Sequence, residues 1–347
     1  MRRILFLIII ISFLAYPVSA VEYTAPSAPG AAQPYMPDEQ ETFSQGLWYI
    51  LKTATSRLKP DLANAAKVCF RVIAVVLLLS ILNSFSEYAK NCIRLIGAVV
   101  IGILLLEPVN TFIQLGANTV TEVGDYGKLL LPVMTAALAA QGGITTSSAL
   151  YMGTVFFNAL LSSLIIQFIV PGVYIYLCLC VANSAVEQNM LKRIQDFVKW
   201  VISWSLKIVL YIFTGYISIT SVISGTVDSS TLKAAKLTIS GAVPVVGKIL
   251  SDATDTILIS AGMMKNTAGV YGIFAIIALC IGPFLQIGIH YILIKISEAV
   301  CNLFGYKPAV SLIGDFATGM GFVLAMTGTV CVLLLISLVC FLRGIGV

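Results

Sequence analysis

The sequence predicts an all-α polytopic membrane protein. The expected architecture is a helical bundle of about 6–8 transmembrane helices with Pro-broken or re-entrant segments and a candidate internal repeat. Three observations carry this. Only 11% of the 347 residues are charged, against roughly 25% in a soluble domain. The mean hydropathy is +0.97, so most of the surface faces lipid. Long apolar runs recur from residue 68 onward, separated by Pro, Gly and charged clusters. The net charge of +5 is spread along the chain. No basic block interleaved with aromatics occurs, which leaves a nucleic-acid partner without support.

Residues 1–20 read as a secretory signal peptide. Arg2 and Arg3 form its basic start, residues 4–15 its apolar stretch, and Val18, Ser19 and Ala20 a small-residue cleavage site after Ala20. An uncleaved anchor is the alternative, but the apolar stretch is shorter than the roughly 20 residues of a span. Cleavage would start the mature chain outside the cytoplasm. Residues 21–45, rich in Pro, Ala and Ser with acidic Asp38, Glu39 and Glu41, read as a disordered extracytoplasmic linker. Residues 46–67 read as an interfacial amphipathic helix. Phe43, Leu47, Ile50, Ala54 and Leu58 recur at helical spacing, and Trp48 and Tyr49 sit near Lys52, Arg57 and Lys59. A helix packing on the protein itself is the other reading.

The membrane domain occupies 68–347. Its first two spans are 68–85 and 93–109, joined by a turn holding Glu87, Lys90 and Arg94; Glu107, just before Pro108, reads as a helix-end residue. Runs 149–170 and 173–186 meet at Pro171-Gly172. Together they exceed one span, so a tight helical hairpin is expected there. A polar amphipathic piece, 187–200, leads to spans at 201–223, 270–294 (broken by Pro283) and 319–342.

Residues 129–223 and 241–342 form the candidate repeat. In each, a Pro-Val pair (Pro132-Val133, Pro244-Val245) opens a short apolar piece, a polar stretch and a span follow, and a second proline stands 39 residues after the first. Asp196-Phe197 and Asp315-Phe316 then precede the last span of each half. Such Pro-interrupted repeats are a feature of transporter folds. Charge does not fix topology. Six-span and seven-span schemes both place seven Lys/Arg inside and six outside, yet put Lys233, Lys236, Lys248 and Lys265 on opposite sides.

Catalytic chemistry has little to build on. The eight cysteines show neither metal-ligand spacing nor a disulfide framework, and read as small buried hydrophobes. His290, the single histidine, has no acidic partner at helical spacing and reads as a hydrogen-bonded membrane histidine. No phosphate-binding loop appears, and no cofactor or metal is implied. Lys207 lies within an apolar run, either facing a polar pathway or snorkelling to the interface.

The most informative stretch is 241–269, GAVPVVGKILSDATDTILISAGMMKNTAG. It is too polar for an ordinary span and too regular for a loop. Pro244 sets the entry to a helix, and Gly247 permits close backbone approach. Lys248 and Asp252 are four apart, Asp252 and Asp255 three apart, so each pair shares a helix side. Thr256, Lys265 and Asn266 extend the polar set. A solvated charged face is the structural reading; a functional motif is the other.

The run Val243-Pro244-Val245-Val246-Gly247-Lys248, then Asp252-Ala253-Thr254-Asp255-Thr256, then Lys265-Asn266 and Gly269, resembles the stage III sporulation protein AE family. The resemblance extends over essentially the whole mature chain, with a linker shorter than is typical. It implies a non-enzymatic membrane subunit of the sporulation channel, or feeding tube, in the mother-cell membrane around the engulfed forespore. Its implied partners are the other stage III A proteins, among them an ATPase on a different chain, and through them a forespore membrane partner. A stand-alone small-solute transporter is the competing reading, motivated by the repeat, the prolines and Lys207. If the motif is functional, Asp252→Ala or Asp255→Ala should lower spore yield more than Lys52→Ala does, with equal and mild effects returning it to a surface helix.

Overall fold

The computed structural model describes residues 26–37, 42–85, 90–186, 188–242 and 247–343, with the backbone alone at residue 85 and over 221–242 and 247–266. The signal peptide and its cleavage site at Ala20, and Pro244, lie outside the described residues. Among the described residues the secondary structure is helical throughout, with no strand. The helices are α1 (Phe43–Arg57), α2 (Lys59–Phe85), α3 (Lys90–Ala140), α4 (Ile144–Leu164), α5 (Val170–Val186), α6 (Asn189–Ala242), α7 (Gly247–Asn302) and α8 (Lys307–Arg343).

The amphipathic stretch forms two elements rather than one helix over 46–67. Thr42 opens α1: its backbone N–H donates to Gln45 Oε1 at 3.1 Å, and its hydroxyl to the same oxygen at 2.7 Å. Leu58 ends α1, and α2 restarts at Lys59. The buried face of α1, made of Gly46, Ile50 and Ala54, packs on α7, where Phe43 stacks on Phe274 with centroids 5.3 Å apart. Trp48 on its outer face is 69% exposed. One side of α1 thus packs on protein, and the other carries the aromatics expected of an interfacial helix.

α3 is the centre of the bundle and touches α2, α4, α5, α7 and α8. It runs through both Pro108 and Pro132. Glu107 is therefore an interior residue of a long helix, not the end of a short one. A proline removes one backbone bond and crowds the preceding turn. Here a buried stripe that includes Ile101, Leu105, Val109, Ile113, Val120 and Val123 outweighs that loss.

The hairpin expected at Pro171-Gly172 is absent. α4 passes into α5 through a π-turn, Ile165–Ile169, in which the Val170 N–H donates to the Ile165 carbonyl. The wider turn accommodates the proline ring and its missing N–H without reversing the chain. Pro283 likewise sits inside α7. A turn follows residue 140: Gly142 N–H returns to Ala139 O (2.9 Å) and Gly143 N–H to Leu138 O (3.1 Å), with Gly142 at φ 91°.

Among the described residues, six helical stretches are long and apolar enough to cross a membrane: Lys59–Ser84, Lys90–Ala140, Ile144–Val186, Asn189–Thr220, Thr267–Asn302 and Lys307–Arg343. They pack antiparallel in chain order. Three contacts hold one end of the bundle together: Ser80 Oγ donates to Phe304 O (2.7 Å), Arg94 Nε to Ala185 O (3.2 Å) and Ser184 Oγ to Pro308 O (3.2 Å). The helical extensions at 221–242 and 247–266 belong to the opposite end. α6 alone is about 80 Å long at about 1.5 Å per residue, against about 30 Å of hydrocarbon, so it continues beyond the membrane.

A disulfide joins Cys280 of α7 to Cys331 of α8, with Cα atoms 6.6 Å apart. This corrects the reading of all eight cysteines as free hydrophobes. The partners are 51 residues apart on facing helices, a relation that no local spacing motif records. Cys180 and Cys301 are buried free thiols, as expected.

Candidate functional site

The clustered end of the bundle holds a polar cavity of about 380 Å³. Three helices build it. α5 ends there with Asn183 and Ser184, α6 begins there with Asn189 and Lys192, and α8 begins there with Lys307, Ser311 and Asp315. The apolar stripes of these helices dock against one another below, which holds their polar ends around one space. Mixed charge is its main feature, with two ammonium groups and one carboxylate on the wall.

A hydrogen-bonded chain fixes that carboxylate. Tyr176 Oη donates to Asp315 Oδ1 at 3.5 Å, and the Gln195 side chain also hydrogen-bonds to Asp315. Asn183 Nδ2 in turn donates to Gln195 Oε1 at 3.4 Å. Gln195 is only 1% exposed, so its amide is set by these partners rather than by water. Lys192 and Lys199 act on Asp315 through their charge. Beside the cavity, Arg94 Nη2 approaches Val186 O at 3.5 Å and supports the last carbonyls of α5. Tyr306, in the α7–α8 connection, is buried; burial pushes its phenol pKa up, opposed by the charge of Arg94. Such a wall suits a small charged or zwitterionic group.

The residues singled out from the sequence do not gather at this cavity. Gly247, Lys248, Asp252, Asp255, Thr256, Lys265 and Asn266 lie on the first turns of α7, at the other end of the bundle, and their side chains lie outside the described residues. Lys207 points outward from α6, in company with exposed Trp204, Ile208 and Tyr211. Among the described residues, no polar path within this chain therefore surrounds it. His290 is 8% exposed, with its ring 4.1 Å from that of Phe112. The acid whose charge reaches it is Asp61 of α2, not a neighbour on its own helix. The cavity itself was missed. Two of its signals were visible separately: the polar piece at 187–200 and the Asp315-Phe316 pair.

Fold and cavity together define a polytopic α-helical membrane protein with a polar pocket at one end of its bundle. Residues 36–343 match the model of the family described as stage III sporulation protein AE, and the chain belongs to that family. A curated relative, stage III sporulation protein AE of Bacillus subtilis (strain 168), is 24% identical over 306 residues, covering 86% of this chain and 75% of the relative. No solved structure matches.

Proposed function

We propose that this chain is a non-enzymatic integral subunit of the sporulation channel complex in the mother-cell membrane around the forespore, needed for forespore development after engulfment. Family membership over residues 36–343 is the observation that carries the reading. Six membrane-capable helices among the described residues, and a pocket walled by Lys192, Lys307 and Asp315, support a structural or transport role. Its partners are the other stage III A proteins and, through them, a forespore membrane protein. If the signal peptide is cleaved, the bundle end bearing α1 and the helical extensions at 221–242 and 247–266 faces the space between the two membranes. That end carries the Lys248-to-Asn266 motif, within reach of a forespore partner. A clean deletion should let engulfment finish and then stall the forespore, read as heat-resistant spores per cell. Wild-type spore yield from the deletion would sink the proposal.

A further inference from the structure

α3 carries a second pattern that neither the pocket nor the motif explains. Glu107, Thr111, Gln114, Asn118, Glu122 and Asp125 are all exposed, at steps of three or four residues. They form one continuous polar face. The opposite face, with Val109, Ile113, Val120 and Val123, is buried. The polar face is about 27 Å long at about 1.5 Å per residue, close to the thickness of the hydrocarbon layer.

Two hydrogen bonds fix its depth against the neighbouring helices. Tyr174 Oη donates to Asn110 Oδ1 at 2.6 Å, and Asn158 Nδ2 donates to Gly124 O at 3.4 Å. Residues 158–174 of α4–α5 therefore run beside residues 110–124 of α3. Over that interval the exposed residues of α4–α5 are Ala159, Leu160 (41% exposed), Ser163, Ile166 (40%), Gln167, Phe168 (51%) and Pro171, none of them charged and only two of them polar. At one level of the bundle, one surface suits lipid and the adjacent surface does not. Carboxylates on the α3 face would each cost about 2.5 kcal/mol or more at the bilayer centre. Only Asp125 has a described ion pair, with Lys128 at 2.8 Å, and both side chains are well exposed.

We propose that this face of α3 lines a water-filled path through the membrane, enclosed by several copies of this chain. With Glu107, Glu122 and Asp125 against Lys128, the face is net acidic. Two such faces repel in dry contact, so copies meet through their apolar flanks and turn the acidic faces toward a shared lumen, as a closed ring of identical subunits allows. Such a lumen favours hydrated cations over anions. The inference rests on the membrane reading above and not on the sporulation role.

The test expresses the full chain alone in a host membrane, with Cys92 and Cys178 replaced by serine. Single cysteines are then placed on the polar face (Thr111→Cys, Gln114→Cys, Asn118→Cys), on the apolar face at the same level (Leu160→Cys, Ile166→Cys, Phe168→Cys) and in the core (Ile113→Cys). Vesicles of both orientations are treated with a charged, membrane-impermeant thiosulfonate. Labelling of the polar-face cysteines, with the apolar-face and core cysteines protected, is the expected result. Protection of the polar-face positions, at normal protein levels, overturns the proposal. Equal labelling of the apolar-face positions also overturns it, because that level then lies outside the membrane. Spore yield is not read, so failure here is distinct from failure of the sporulation role.

Discussion

Gly153→Leu is expected to destabilise the bundle by about 2–4 kcal/mol, the sum of overpacking and one lost hydrogen bond. Gly153 lies where α4 meets α6. A Cβ there would come within 2.7 Å of Tyr216 Cζ, with the ring edge closer still. Tyr216 has little room to yield. Its hydroxyl donates to Ala149 O at 3.0 Å, and its ring lies 5.7 Å from Phe157, which in turn meets Phe213 at 5.4 Å. A leucine must expel the tyrosine ring, break that bond and part the two helices. Thermal unfolding in detergent should show a clear drop in midpoint. Adding Tyr216→Ala to Gly153→Leu should recover part of the loss, because the second change removes the obstacle to the first. Additive losses in the double variant would place the strain elsewhere.

Much of the fold was legible, for a definite physical reason. Lipid forces backbone groups to bond internally, so long apolar runs become helices. The runs beginning near 68, 93, 149, 201, 270 and 319 each lie in one of the six membrane-capable helices. The errors cluster at prolines. Pro108 was read as a helix end and Pro171 as a turn, because proline breaks isolated helices. In the bundle, the buried stripe on either side of Pro108 carries the helix through, and a π-turn absorbs Pro171. A further signal in 107–128 went unread. Mean hydropathy falls there because one face is polar, yet Val109, Ile113, Gly116, Val120 and Val123 keep the helical period of a buried face. The cavity was illegible for another reason: Asn183 and Asp315 stand 132 residues apart, and only the antiparallel return of α8 beside α5 brings them together. The Cys280–Cys331 bond is hidden in the same way.

Asp315 offers the sharpest test of whether the cavity works or merely fills space. Asp315→Ala removes the acceptor for Tyr176 and Gln195. It leaves a nearly inaccessible amide with one partner fewer, a cost of about 1–3 kcal/mol. Loss of spores in that variant would therefore not separate structure from function. Asp315→Asn does. Its side-chain oxygen still accepts from Tyr176 and the shape is unchanged, while the charge set against Lys192 and Lys307 on the cavity wall is gone together with one acceptor oxygen. The expected result is a protein of wild-type abundance and unfolding midpoint with spore formation reduced about tenfold. Lys307→Gln should produce a defect of similar size, since it removes the opposite charge from the same wall. Lys207→Gln, which alters an outward-facing lysine, should leave spore yield unchanged. Normal spore formation in Asp315→Asn would reduce the cavity to a packing feature and leave the α7 motif and the polar face of α3 as the functional surfaces of the chain.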